Sequence, residues 1–120
     1  MLAVTTDPAQ FWGEWILPTV SRQDPLFLEQ TYWHGTIWGP VNYLVFLGLK
    51  RYATPEIQTA FAQKGVHLFM DNWLADGYCG ENFLSIDGSI GGNLNYTWGT
   101  LCARLGSSRW SISATTVSPS

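Results

Sequence analysis

VNYLVFLGLKRY at residues 41–52 and ATPEIQTAFAQKGVHLFMDNWLADG at residues 53–77 form a pair of segments that decides the fold. The first segment is apolar on nearly every helical face until Lys50 and Arg51. A helix that is apolar all round is usually an interior helix. The two basic side chains fall in its last turn, where positive charge complements the helix dipole. The segment therefore predicts a buried helix over residues 41–52.

The second segment has the signals of a separate helix that starts almost immediately. Thr54 is a suitable N-cap, Pro55 suits the first helical position, and Glu56 adds negative charge to the first turn. Asp76 and Gly77 supply its end. The apolar residues of this segment follow a helical stripe made of Ile57, Phe61, Leu68 and Trp73. This stripe predicts an amphipathic, peripheral helix. An interior helix joined to an outer one is the repeating unit of an α/α barrel, although any helical bundle fits the pattern equally well.

The rest of the chain adds less regular structure around this hairpin. Prolines interrupt residues 7–29, which predicts an irregular lead-in that packs on a neighbour. Residues 77–95 are rich in glycine and predict a long loop, of the kind that is often functional. Residues 96–105 are expected to begin another interior helix, which gives about three helices in the order inner, outer, inner. We expect residues 1–106 to form part of a barrel and residues 107–120 to be a disordered tail.

Composition restricts the possible partners. Only 12% of the 120 residues are charged, 15% are aromatic and seven are tryptophan, which indicates either a ligand cleft lined by rings or an outside buried against missing protein. The net charge of −3 and the scattered basic residues argue against a nucleic-acid partner. Cys79 and Cys102 have no metal-ligand spacing, so we expect buried free thiols, no metal and no cofactor. We expect no membrane span and no signal peptide, and the compartment stays open.

Two loops carry the residues best suited to chemistry. Residues 32–43 read YWHGTIWGPVNY, and residues 78–88 read YCGENFLSIDG. One loop enters the inner helix and the other leaves the following outer helix, so both emerge at the same end of a barrel. Indole faces suit the C–H surfaces of a sugar ring, while amide, imidazole and carboxylate groups satisfy its hydroxyls. The two loops together predict a sugar site.

The sequence also resembles a known family over residues 10 to 103. The run YWHGTIWGPVNYLVFLGLKRY is similar to the YWRGxIWxxxNYLxxxGLxRY segment of glycoside hydrolase family 63 and the related mannosylglycerate-hydrolase-like and trehalase-type enzymes. ENFLSIDG followed by NYTWG, and FWGEWILPTVSRQDPLF before them, agree in order and spacing. The resemblance implies an all-α fold, part of an (α/α)6 barrel. It also implies glycoside hydrolysis with inversion by an Asp acid and a Glu base.

The resemblance assigns roles residue by residue. Glu81 matches the family's general base, whereas sequence alone would favour a solvated loop carboxylate. The family's acid lies on an upstream segment that this chain lacks. Positions matching the sugar site are Trp33, Gly35, Trp38, Asn42 and Trp98, and His34 stands where relatives commonly have Arg. Each Trp could equally be core packing.

Three interpretations follow from these residues. The first is a C-terminal fragment of an inverting glycosidase, inactive alone. Its partners would be an oligosaccharide or small glycoside with an α-glucosidic or related linkage, and the missing remainder of the barrel. The second is a carbohydrate-binding or degenerate module without the acid. The third is a helical scaffold whose tryptophans are interior packing.

Overall fold

The computed structural model describes residues 2–106, and this part of the chain is mostly helical. The predicted tail over residues 107–120 lies outside the described residues. Three α-helices come first, α1 (Leu2–Thr5), α2 (Gly39–Tyr52) and α3 (Pro55–Asp76), and residues 100–106 are also helical. Short 3-10 helices span Pro25–Glu29 and Thr97–Gly99, and two strands, β1 (Asn82–Phe83) and β2 (Ile90–Gly91), pair antiparallel. Within residues 2–106, no helix combines the length and apolar character needed to cross a bilayer.

The α2–α3 hairpin has the boundaries that its sequence predicts. The Thr54 hydroxyl accepts a hydrogen bond from the Ile57 N–H at 3.4 Å, which caps α3. Gly77 ends α3 in the left-handed conformation, with φ of 72°, and its N–H donates to the Trp73 carbonyl. Only Ala53 and Thr54 separate the two helices, so the helices form an antiparallel hairpin. The predicted helical hairpin is confirmed.

The core lies between the two helices of the hairpin and the irregular segments around them. Phe46 of α2 stacks on Phe61 of α3 with ring centroids 5.9 Å apart. The helical segment 100–106 adds Cys102 and Leu105, and the lead-in adds Ile16. Each such side chain stabilises the fold by about 1.5–3 kcal/mol relative to its exposed state. The lead-in and the helical segment 100–106 thus pack on the same core as the hairpin.

Helix α2 departs from the prediction that it is buried on all sides. It buries Phe46 and Leu49, but the opposite face exposes Val41, Leu44 and Tyr52. These exposed residues border an open cavity of about 1010 Å³ whose lining is almost entirely apolar. The described residues supply neighbours for one face of α2 only. The sequence of α2 is apolar on both faces, but the second face borders the open cavity and is not buried.

Helix α3 also buries a slightly different face from the predicted stripe. Phe61 and Leu68 are buried as expected, whereas Trp73 is exposed. Gln58 is buried because its amide donates to the Ala53 carbonyl at 2.9 Å, which satisfies a polar group near the core. Gly65 lies where the helical segment 100–106 crosses α3. The buried stripe is therefore centred on small and polar residues that periodicity of large apolar residues does not detect.

The fold makes a testable prediction at two helical glycines. A Cβ added at Gly65 would stand 2.8 Å from the Cys102 carbonyl oxygen and 2.8 Å from a Leu105 methyl, whereas one at Gly48 would meet nothing within 4 Å. Alanine is the better helix former by about 0.5–1 kcal/mol, but overpacking costs about 1–3 kcal/mol. In urea denaturation we expect Gly48→Ala to stabilise the chain and Gly65→Ala to destabilise it. Equal stabilisation by both variants would contradict the crossing at Gly65.

Candidate active site

The loops that precede α2 and follow α3 are joined through their backbones. The Ile37 N–H donates to the Phe83 carbonyl at 2.7 Å, and the Phe83 N–H donates to the Ile37 carbonyl at 2.9 Å. Both side chains are buried in the core. This reciprocal pair fixes the register of residues 32–38 against residues 81–85. The predicted meeting of the two loops at one end of the hairpin is thus what the structure shows.

Glu81 lies at the junction of these loops and is only 5% exposed. The Tyr32 hydroxyl donates to its Oε1 at 3.0 Å. Asn93 donates to its Oε2 twice, from the backbone N–H at 3.0 Å and from the side-chain amide at 2.8 Å. A further bond, from the Glu81 N–H to the Asn93 carbonyl at 2.9 Å, closes the turn. Glu81 is therefore a held, buried carboxylate and not a solvated loop residue.

The hydrogen bonds favour the charged form of Glu81. The backbone N–H of Asn93 has the largest effect and lowers the pKa of the carboxyl group, burial opposes it, and Tyr32 and the Asn93 side chain lower it further. The same hydrogen bond raises the pKa of Tyr32, because ionising the phenol would remove the proton that it donates to Glu81, and burial and the charge of Glu81 act in the same direction. The hydrogen bonds from neutral donors thus outweigh the effect of burial, and the pKa of Glu81 stays below its ordinary value.

Gly92 allows the backbone to come close to this carboxylate. Its φ of 66° is one that side chains rarely adopt, and a Cβ there would stand 2.7 Å from Glu81 Oε2 and 2.8 Å from the Asn82 amide nitrogen. The buried amide of Asn82 has no hydrogen-bond partner among the described residues. Such groups cost about 1–3 kcal/mol each, and buried unpaired polar atoms in native proteins are uncommon. The turn around Glu81 is therefore tightly packed and carries an unpaired polar group.

Aromatic rings cover the site on its outer side. Trp33 stacks on Trp38 at 4.1 Å between centroids, and Tyr32 meets Trp38 edge-on at 4.8 Å. Trp98 packs edge-on against Trp38 at 5.7 Å, and Tyr96 packs against Trp98 at 5.1 Å. Tyr32, Trp33, Tyr96 and Trp98 are all partly exposed around the buried Trp38. These five rings, here called the aromatic platform, form one connected cluster around the buried Trp38, and the cluster contacts Glu81 through the Tyr32 hydroxyl.

Trp38 and Asn42, both predicted as substrate-binding residues, are buried beneath the exposed rings. Trp38 is 1% exposed, and its indole N–H donates to the Tyr32 carbonyl at 2.9 Å. The Asn42 amide accepts from the Leu17 N–H at 2.9 Å and donates to the Leu17 and Trp38 carbonyls at 3.0 Å. Both side chains are fully engaged below the surface. Trp38 is thus the buried member of the platform, and Asn42 joins the start of α2 to the lead-in beneath it.

Gly35 and His34 complete the sequence-predicted set. Gly35 has φ of 97° and packs against the Phe27 carbonyl, so it shapes the turn and offers no side chain. His34 lies exposed beside Glu29, with its Nδ1 2.8 Å from the carboxylate. Of the six predicted substrate-binding residues, Trp33, His34 and Trp98 have accessible side chains. Of these three accessible residues, Trp33 and Trp98 belong to the aromatic platform and His34 does not.

Tyr32, Asn93 and Tyr96 are site residues that the sequence did not single out. Tyr32 stands next to Trp33 in the recognised motif, so its position was visible but its reach to Glu81 was not. Asn93 contacts Glu81 across the β1–β2 hairpin, whose strands have two residues each. Such short strands leave no alternation to detect. Tyr96 adjoins the recognised Trp98, and that proximity was the only available signal.

A helical hairpin whose loops hold a buried carboxylate under exposed aromatic rings defines a glycoside-hydrolase-type domain. The chain belongs to the mannosylglycerate hydrolase MGH1-like glycoside hydrolase domain family, whose model matches residues 1–99. This family assignment agrees with the resemblance read from the motifs.

Individual relatives cover the same region. The chain is 31% identical to the mannosyl-oligosaccharide glucosidase of Saccharomyces cerevisiae over 88% of its length and 14% of that protein. It is 30% identical to the mannosylglycerate hydrolase MGH1 of Selaginella moellendorffii over 59% of its length and 16% of that protein. The fold is similar to an uncharacterized conserved protein from Thermus thermophilus, with a TM-score of 0.64, 22% identity, and coverage of 78% of this chain and 23% of that one. The chain thus spans a small part of the length of each curated relative.

The lowered pKa of Glu81 predicts a particular acid sensitivity. Because the folded pKa lies below the ordinary value of 4.5, the hydrogen bonds of Glu81 stabilise the fold fully above pH 4.5 and are lost as the pH falls through the folded pKa. In urea denaturation at pH 7 down to pH 3, Glu81→Gln should lose less stability on acidification than the wild type. Gly48→Ala, which leaves every carboxyl group in place, is the control and should lose stability on acidification in parallel with the wild type. Parallel curves for wild type and Glu81→Gln would contradict the assignment.

Proposed function

We propose that this chain forms part of an inverting glycoside hydrolase acting on an α-glucosidic or related linkage, with Glu81 as its general base. One observation carries the proposal: a buried, ionised carboxylate lies beneath an exposed aromatic platform in a glycoside hydrolase domain. The relatives, a glucosidase and a mannosylglycerate hydrolase by name, agree in class with it.

The direction of the Glu81 pKa favours the base over the acid. An inverting enzyme needs one protonated carboxyl group to protonate the leaving oxygen and one ionised group to take a proton from water. A general acid requires a raised pKa, whereas the pKa of Glu81 is lowered by its hydrogen bonds. Glu81 is therefore in the charge state that a base requires before each turnover.

The hydrogen bonds also indicate which oxygen would accept the proton. Each carboxylate oxygen has about two acceptor positions. Asn93 takes both positions on Oε2, while Tyr32 takes one on Oε1. The remaining position on Oε1 is available for a water molecule. That water would lose a proton to Oε1 as its oxygen attacks the anomeric carbon, while the leaving oxygen is protonated from the opposite side.

The aromatic platform supplies a surface for the sugar ring. Trp33 and Trp98 expose indole faces close to Tyr32, whose hydroxyl reaches Glu81. Stacked rings bury the apolar face of a sugar and leave its hydroxyls free to bond elsewhere. The open cavity beside α2 is a poorer sugar site, since its lining is almost entirely apolar. A sugar seated on the platform would lie beside the open position of Oε1.

The general acid and the cover for α2 would come from outside the described residues. Several other carboxylates serve local structure: Asp7 bonds to Ala9, Asp24 to Leu26, Asp87 to Ser89 and Glu29 to His34. The chain spans 14% and 16% of the curated relatives' lengths, so most of a comparable domain lies beyond it. We place the remaining helices of that domain against the exposed apolar face of α2, which needs such cover.

A carbohydrate-binding module without catalysis is the second candidate. The local engagement of those four carboxylates favours it, because a platform that has Glu81 but no second carboxyl group to act as the acid binds a sugar without cleaving it. The two candidates share the platform and differ in whether Glu81 affects turnover. Binding and hydrolysis must therefore be tested separately.

The binding half of the proposal predicts a sugar contact on the platform. We expect glucosides or mannosides titrated into the ¹⁵N-labelled chain to shift the indole N–H signals of Trp33 and Trp98. Trp98→Ala should weaken binding several-fold, since stacking of this kind contributes on the order of 1 kcal/mol. Trp73→Ala, an exposed tryptophan on α3 that stacks on Phe69 away from the platform, is the matched control. Equal affinity of the two variants for the sugar would contradict the proposal that the sugar binds on the platform.

The catalytic half predicts a loss of turnover with a specific rescue. In an enzyme that joins this chain to the helices completing its barrel, Glu81→Ala should lower kcat by about 10²–10⁴-fold, because no group takes the proton from water. Azide needs no deprotonation, so it should restore turnover and give a glycosyl azide of inverted configuration, detected by proton NMR. Glu29→Ala should leave kcat near the wild-type value. Full activity of Glu81→Ala would leave the binding module as the better candidate.

A further inference from the structure

Gln30 and Tyr32 are two non-glycine residues with left-handed backbones in one short turn. Their φ angles are 49° and 45°, values that side chains other than those of Asn and Asp rarely accept. The turn leads directly into the aromatic platform through Tyr32 and Trp33. Such backbone conformations persist where surrounding contacts hold them in place. The contacts that hold this turn therefore decide where the Tyr32 hydroxyl lies.

Tyr32 is held at its hydroxyl by Glu81, and Gln30 is held by the loop that follows Glu81. The Gln30 amide nitrogen donates to the Phe27 carbonyl at 2.8 Å and to the Ser85 hydroxyl at 2.9 Å. The Ser85 N–H donates to the Gln30 amide oxygen at 2.8 Å. Gln30 and Ser85 thus exchange bonds in both directions across 55 residues of sequence.

The Ser85 hydroxyl extends the contact to the other end of the turn. It donates to the Gly35 carbonyl at 2.6 Å, while the Gly35 N–H donates to the Thr19 hydroxyl at 3.0 Å. Gln30, Ser85 and Gly35 are here called the clasp. Gln30 and Ser85 are both more than nine-tenths buried, so water competes little for these bonds. The clasp encloses the turn from residue 30 to residue 35, with Tyr32 inside it.

We propose that Gln30 and Ser85 are positioning residues that hold the strained turn so that the Tyr32 hydroxyl stays on Glu81. This inference rests on the proposed function only in giving Glu81 a catalytic role. The clasp, its geometry and its effect on Glu81 are properties of the chain with or without substrate.

The test is a double-mutant cycle read at the Glu81 carboxyl group. Carbon-13 NMR of the labelled 120-residue chain follows the four glutamates as the pH is lowered, and Glu81→Gln assigns the signal of Glu81. Tyr32→Phe removes the phenolic donor and should shift the Glu81 titration to higher pH. Gln30→Asn keeps a residue type that tolerates the left-handed backbone but cannot span to Ser85. It should shift the titration in the same direction.

The double variant separates a positioning role from general loosening. If the clasp acts through Tyr32, Gln30→Asn together with Tyr32→Phe should shift Glu81 no further than Tyr32→Phe alone. Thr54→Ala, which removes the cap of α3 far from the site, should lower stability without moving the Glu81 titration. Tyr32 and Tyr96 are the ionisable neighbours that bear on this readout, and the raised pKa of Tyr32 keeps its phenol neutral over the acidic range.

Two results would overturn the clasp. One is a Glu81 titration unchanged in Gln30→Asn, and the other is a double variant whose shift is the sum of the single shifts. Should Gln30→Asn fail to fold, Ser85→Ala provides the same reading, because it keeps the Ser85 N–H bond and loses only the hydroxyl bonds. Its expected shift is smaller and in the same direction. Loss of sugar binding with an intact cycle would contradict the proposed function and leave the clasp standing.

Discussion

Two backbone hydrogen bonds between Ile37 and Phe83 join segments that lie 46 residues apart, and the site is built on them. With both side chains buried, sliding one loop past the other would expose an apolar side chain and break the pair. The register so fixed places Tyr32 within reach of Glu81. The α2–α3 hairpin makes this possible, because it returns the chain to its starting end. The site therefore depends on helix length as much as on loop sequence.

The charge of Glu81 is stabilised without any cation in contact among the described residues. Neutral donors from Tyr32 and Asn93 lower the pKa against the opposing effect of burial. A nearby lysine or arginine would also lower the pKa, but in the proposed reaction it would repel the positive charge that develops on the sugar. Neutral donors avoid that repulsion and leave one acceptor position on Oε1 open. The arrangement favours a carboxylate facing an electron-poor centre.

Sequence predicted the hairpin well because its signals are local. Thr54 and Gly77 mark their own helix ends, and no distant contact is needed to read them. Glu81 could be recognised from its motif, but its burial could not, since burial depends on Asn93 across a hairpin with two-residue strands. Trp38 was expected to face the sugar. A tryptophan-rich loop lacks the periodicity that would tell which ring lies uppermost and which lies beneath.

The exposed face of α2 and the aromatic platform meet at Trp33, which lines the apolar cavity and stacks on Trp38, but they differ in chemistry. The first is apolar and suits packing of protein, while the second combines rings with a carboxylate and suits a sugar. A crystal structure with a protonated iminosugar, which mimics the charged sugar of the transition state, distinguishes them most directly. The iminosugar ring should lie against Tyr32 and Trp98, neither of which lines the cavity, with one water between its anomeric position and Oε1 of Glu81. A ring bound in the apolar cavity, with Glu81 turned away from it, would contradict the central claim.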